Sequence, residues 1–112
     1  MPDLSAEDKK LVTLARATRA RIQAAQGAAV RDTDGRTYAA ATVSLPSLQL
    51  SAVQAVVAMA VASGSSGVDA CVVLGEGALA DADSAVLKDF AGPSGVLLHT
   101  GDARAVASSI QL

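Results

Sequence analysis

The stretch "GAAVRDTDGRTYAAATV", residues 27–43, decides the fold. Two short apolar segments flank Asp34-Gly35, a strong hairpin signal because glycine accepts the positive φ that a tight turn demands. The pattern predicts strands over about 27–31 and 36–43. Pro46 then interrupts regular structure.

Working outward, Ser5 is placed to cap a first helix reaching about residue 25, with Asp8 three residues on as a weak capping-box partner. Leu4, Leu11, Leu14, Thr18 and Ile22 recur near the helical period. On the other side, Ser47 is read as the cap of a second helix over 48–63, closed by "SGSSG". That helix is apolar all round, so burial on most sides is expected, against the sheet and another layer or a partner chain. "VDACVVLG" (68–75) reads as a buried strand, "DADSAVLKDFAG" (81–92) as a third helix and "GVLLH" (95–99) as a fourth strand. "DARAVASSI" (102–110) reads as a last short helix. This order implies an α/β fold with helices on both faces of one mixed sheet, within a single domain spanning 1–112.

Composition narrows the function classes. The chain has 112 residues and is 51% hydrophobic, enough to fill a core, but Tyr38 and Phe90 are its only aromatics. Its core must therefore come from Ala, Val and Leu, and little flat surface remains for stacking on a ligand. The net charge of −2 gives no basic field to attract nucleic acid. A single cysteine, Cys71, precludes an internal disulfide. The longest apolar run, Ala55 to Ala62, is far short of the roughly 20 residues of a membrane span. The polar, acidic start argues against a signal peptide, and a cytoplasmic protein is expected.

The hairpin resembles that of the cytidine deaminase family, in which a G-A-A segment leads through a D-G turn and an aromatic-bearing strand to N-V-E. Gly27, Ala28, Ala29, Asp34, Gly35, Tyr38 and Val43 stand at matching spacing. "LSAVQAVVAMAVASG" is similar to the helix that comes next in that family, and "VDACVVLG" and "SAVLKDF" to its next strand and helix. The resemblance runs over roughly residues 10–98. It implies a three-layer α/β/α sandwich. It also implies assembly as a dimer or tetramer through the second and third helices.

The resemblance further implies a zinc site built from C/H-A-E at the start of the second helix and P-C-x-x-C at the start of the third. Three ligands would hold the metal, a water would fill the fourth position, and the glutamate would carry the proton. Here Ser51 aligns with the first ligand and Val53 with the glutamate, while Ala80 and Asp83 align with the two cysteines. The substrate positions are also altered: Ala24 replaces a stacking Phe, and Thr42 and Ser44 replace the ribose-binding Asn and Glu. No catalytic residue, metal ligand or cofactor is therefore assigned.

Other signals have plain readings. Gly75, Gly77 and Ala80 form G-x-G-x-x-A between a strand and a helix, the layout of a phosphate loop. No acidic residue closes the following strand, so a glycine turn with Asp caps is preferred. Asp81, Asp83 and Glu76 read as solvated caps rather than a hard-cation site. Arg16, Arg19 and Arg21 read as a solvated helix face. Cys71 reads as a buried, inert thiol. His99 reads as a strand-end polar residue, since a catalytic role needs a partner that the spacing does not reveal. The sequence thus points to a deaminase-like protein without deaminase chemistry, acting by association with copies of itself or with an unidentified protein. Two alternatives remain: a nucleoside or nucleotide module using the old cleft with Gly75 and Gly77, and a divergent hydrolase of the deaminase type.

Overall fold

The computed structural model describes residues 3–77 and 79–112; Met1 and Pro2, in the polar start, and Ala78, inside the glycine loop, lie outside the described residues. Helix α1 (Ala6–Ile22) begins as the sequence expects, with the Ser5 hydroxyl accepting the Asp8 N–H. Strands β1 (Gln26–Asp32) and β2 (Thr37–Ala41) form the expected antiparallel hairpin. Its turn is longer than two residues. The buried carboxylate of Asp32 draws it in, accepting the N–H groups of Asp34 and Arg36 and the Ser65 hydroxyl. Gly35 supplies the positive φ of 86° that the loop needs.

Next come two three-residue strands, β3 (Val43–Leu45) and β4 (Leu48–Leu50), paired across a turn at Pro46-Ser47. The expectation of a helix from 48 is corrected here. The second helix, α2 (Ala52–Ala62), starts four residues later. Its cap is Ser51, whose hydroxyl accepts the Gln54 N–H while the Gln54 side chain accepts the Ser51 N–H. That reciprocal pair satisfies two free donors at once and outcompetes a start at Ser47.

Strand β5 (Val68–Gly75), helix α3 (Asp81–Asp89) and strand β6 (Leu97–Gly101) come after it. The last element, β7 (Val106–Gln111), is a strand and not the expected helix. Asp102 does act as a cap would, accepting the N–H groups of Arg104 and Ala105. Pairing with β6 then captures the chain, because the open edge of β6 offers a row of free backbone groups.

The main sheet runs β2-β1-β5-β6-β7, with only β5 and β6 parallel. Helix α1 covers one face, where Leu11, Val12 and Ala15 meet Ala29, Ala70, Val72, Leu74 and Val106. Helices α2 and α3 cover the other through Val53, Val56, Ala60 and Leu87, against Ala28, Val30, Cys71, Val73 and Leu98. This is the three-layer arrangement the sequence implied. The interior is built from small side chains, which lets backbones approach closely. At Gly27 a Cβ would strike the Ala15 carbonyl and come within 2.7 Å of the Arg19 Cβ. Gly27→Ala is therefore expected to lift α1 off the sheet, costing about 2–3 kcal/mol. Thermal melting followed by far-UV circular dichroism should show a Tm lower by roughly 10 °C or more.

Candidate functional site

Helices α2 and α3 bring their N-termini together on one side of the sheet, and Ser51 and Asp83 meet there. The Ser51 hydroxyl, while accepting the Gln54 N–H, donates to Asp83 Oδ1 at 2.6 Å. Asp83 is buried and is therefore not the solvated cap expected from sequence. Ala80 caps α3 without a side-chain bond, so the Asp83 carboxylate lies close to the positive ends of two helix dipoles. A charge-assisted bond of this kind contributes about 1.5–3 kcal/mol. Val53, two residues after Ser51, is fully buried in the core. Cys71 is also fully enclosed; burial first, and the Asp83 charge second, push its thiol up to about 12, which leaves it inert.

Thr42, Ser44 and Ser51 do come together. With Ala25, Gln26, Gln49 and Glu76 they line an open cleft of about 420 Å³. Thr42 is already engaged: its hydroxyl accepts the Gln26 N–H at 3.0 Å and reaches the Gln26 carbonyl at 3.3 Å. Ala24 sits in the turn after α1, its N–H bound to the Arg19 carbonyl. Gly75 and Gly77 are not part of this arrangement. They line a separate depression with Leu79, Thr100 and Asp102, and the Asp102 carboxylate makes it a poor seat for an anion.

On the opposite face, the structure supplies the partners for His99 that the sequence hid. His99 is buried on β6, with Nε2 at 2.7 Å from Asp8 Oδ2 and Nδ1 at 2.6 Å from Ser109 Oγ. Asp8 Oδ1 also accepts from Arg31 at 2.8 Å. Burial acts most strongly on Asp8 and by itself raises its pKa. The hydrogen bonds from His99 and Arg31, with their charges, outweigh it and hold the carboxyl below its ordinary value. Asp8 and His99 are 91 residues apart, so no local spacing announces the pair.

A mixed sheet between one helix and two, with the N-termini of the two meeting beside an open cleft, defines the class of domain. Residues 4–105 match the cytidine deaminase-like family, and the chain belongs to it. Solved structures agree on the fold. Cytidine deaminase from Burkholderia pseudomallei superposes with a TM-score of 0.81 at 20% identity, covering 96% of this chain and 93% of its own. The enzyme from Mycobacterium leprae gives 0.72 at 20% identity, covering 92% and 93%. That from Mycobacterium tuberculosis gives 0.71 at 23% identity, covering 84% and 85%. No curated protein sequence matches the chain.

The family implies zinc, and the residues that the sequence reading sets at its ligand positions do not fit that metal. Ser51 offers a hydroxyl already committed at both ends, Ala80 offers a methyl group, and Asp83 a carboxylate turned onto Ser51. Zinc sites of this kind need thiolate or imidazole donors. Among the described residues, no three His, Cys, Asp or Glu side chains gather into a group able to hold a metal ion. Nor is any helix there long and apolar enough to cross a membrane.

Proposed function

We propose that this chain is a cytidine deaminase-like protein without deaminase chemistry, acting in the cytoplasm through self-association or a protein partner. The observation that carries the reading is the Ser51–Asp83 hydrogen bond. It joins the two helix starts and, on the proposed reading of Ser51 and Asp83 as former ligand positions, leaves neither side chain free to hold a metal. Val53 supports it, because a buried isopropyl group moves no proton. Association is supported by the outer side of α2, where Met59 (43%) and Val61 (52%) remain exposed. Ile22 (62%) stands nearby across the shallow apolar groove that Ile22 and Met59 share with β2. Such surface is what a homodimer or homotetramer covers.

The deciding experiment pairs metal analysis of the purified protein with an ammonia assay on cytidine. Substoichiometric zinc and no ammonia are expected; one zinc per chain or turnover of cytidine would overturn the reading. Light scattering after size exclusion tests the second part, for which a monomer at micromolar concentration is the contrary result. A second reading, a nucleoside- or nucleotide-binding module, is favoured by one observation, the hydroxyl-lined cleft at Thr42, Ser44 and Ser51. Thermal-shift screening against nucleosides and nucleotides distinguishes it. A deaminase-type hydrolase stands below both, since it needs the metal that these residues fail to hold.

A further inference from the structure

The geometry points to a second site, on the α1 face of the sheet, in which Ser109 is an acyl-accepting nucleophile activated by His99 and oriented by Asp8. With the His99 proton on Nε2 and held by Asp8, Nδ1 is free to accept from the Ser109 hydroxyl, giving a chain of serine, imidazole and carboxylate at 2.6 and 2.7 Å. This is the connectivity by which a general base activates a hydroxyl. The base and the acid are buried, whereas Ser109 is exposed on the open edge of β7.

The backbone helps to aim it. A shift in the β6–β7 register between Thr100 and Gly101 places Val106 and Ser109 on the same face, although they are three residues apart. A groove of about 560 Å³ runs between α1 and β7 and meets the strand at Val106, three residues before Ser109; Leu4, Val12 and Val106 form its apolar wall, Lys9 and Arg16 are its cations and Asp3 its one carboxylate. Two cations against one carboxylate leave the lining net positive, although Arg16 also donates to the Arg104 carbonyl, and such a lining suits an ester whose acyl chain is apolar and ends in an anionic group.

In the first step Ser109 Oγ bonds to the acyl carbon and the ester C–O bond breaks. The serine proton passes to His99 Nδ1 and then to the departing alkoxide, which leaves as the alcohol. Water repeats the sequence on the acyl-serine, releasing the carboxylic acid and restoring the hydroxyl. No oxidant, reductant or metal enters. Asp8 touches neither substrate nor water and is a positioning residue.

The test uses mono(4-nitrophenyl) glutarate with the whole 112-residue chain. A burst of nitrophenolate approaching one equivalent is expected, with the acyl group mapped to Ser109 by peptide mass spectrometry. Ser109→Ala, at an exposed position, should fold normally and lose about 100-fold or more of the rate. Ser108→Ala is the control: Ser108 is exposed beside it but bonded to Thr100 instead of His99, and its loss should change nothing. Acylation at Ser109 no greater than at Ser108, or an unchanged rate in Ser109→Ala, would overturn the assignment and leave the chain of bonds as a fastening for α1.

Discussion

Asp8→Ala is expected to remove a large share of this protein's stability. The substitution leaves the Arg31 guanidinium and the buried His99 imidazole without the carboxylate that both address. An unsatisfied buried imidazole donor costs about 1–3 kcal/mol and the lost charge-assisted bond to the partly exposed Arg31 about 1.5–3 kcal/mol, together a large part of the roughly 5–15 kcal/mol that holds a typical domain together. The Tm should fall by about 15–30 °C. Asp8→Asn preserves shape and one acceptor, so its cost should be smaller. Acid provides an independent check. The folded pKa of Asp8 is depressed below its ordinary 3.8, so its contribution is complete above that value and is lost as pH falls through the still lower folded value. Asp32 behaves in the same way, through the Ser65 and backbone hydrogen bonds that outweigh its burial. Denaturant midpoints of the wild type should therefore decline below about pH 4, and less steeply in Asp8→Asn. A midpoint unmoved by Asp8→Ala would show that the network contributes nothing net.

The second large effect is a gain. Replacing Ser51, Ala80 and Asp83 together with cysteine is expected to create zinc binding at about one ion per chain. The proposed reading of these positions as former ligands motivates the substitution, and the geometry gives it a chance to work. Ser51 and Asp83 already reach a common point, and positions 80 and 83 fall at the cap and third residue of α3, a C-x-x-C spacing. Thiolates about 2.3 Å from a metal would fill the space that the hydroxyl–carboxylate contact occupies. Zinc at 1,000 times its dissociation constant should add about 4 kcal/mol to stability, visible as a metal-dependent rise in Tm. Cytidine should remain untouched, because Val53 supplies no proton carrier. A folded triple variant that retained no zinc under metal analysis would mean that the helix starts are not aligned as a former metal site requires.

The hairpin, the Ser5 cap and the order of the two central helices are legible because each is written in neighbouring residues: a glycine turn, a hydroxyl before a helix, an apolar run. The misreadings have two causes: a local capping-box signal, Ser51 with Gln54, passed over in favour of Ser47, and partners of Asp83 and of residues 106–111 that are distant in the sequence. Ser47 and Ser51 are equivalent as caps until Gln54 is seen closing a reciprocal pair with the second. Asp102 signals a helix start and makes the bonds of one, yet the distant edge of β6 turns residues 106–111 into a strand. Asp83 reads as a solvated cap because its partner lies 32 residues away. Of the site, the cleft hydroxyls at Thr42, Ser44 and Ser51 are legible as neighbours, but Gly75 and Gly77 belong to a different depression. The Asp8–His99–Ser109 chain is invisible in the sequence, since only the folded sheet brings helix α1 over β6 and β7.

An interior assembled mostly from alanine and valine, with a few leucines, inverts the usual hierarchy of mutational harm. Shaving a methyl group from Ala28 or Val72 removes little surface, and the cavity left is slight. Adding bulk at Ala15, Ala29 or Ala70 has nowhere to go, because all three are fully buried between α1 and the sheet, and at Gly27 a Cβ would already strike the Ala15 carbonyl. A saturation survey of these positions should show fitness declining with side-chain volume gained far more steeply than with volume lost. Lineages carrying this core would drift toward ever smaller residues more readily than back.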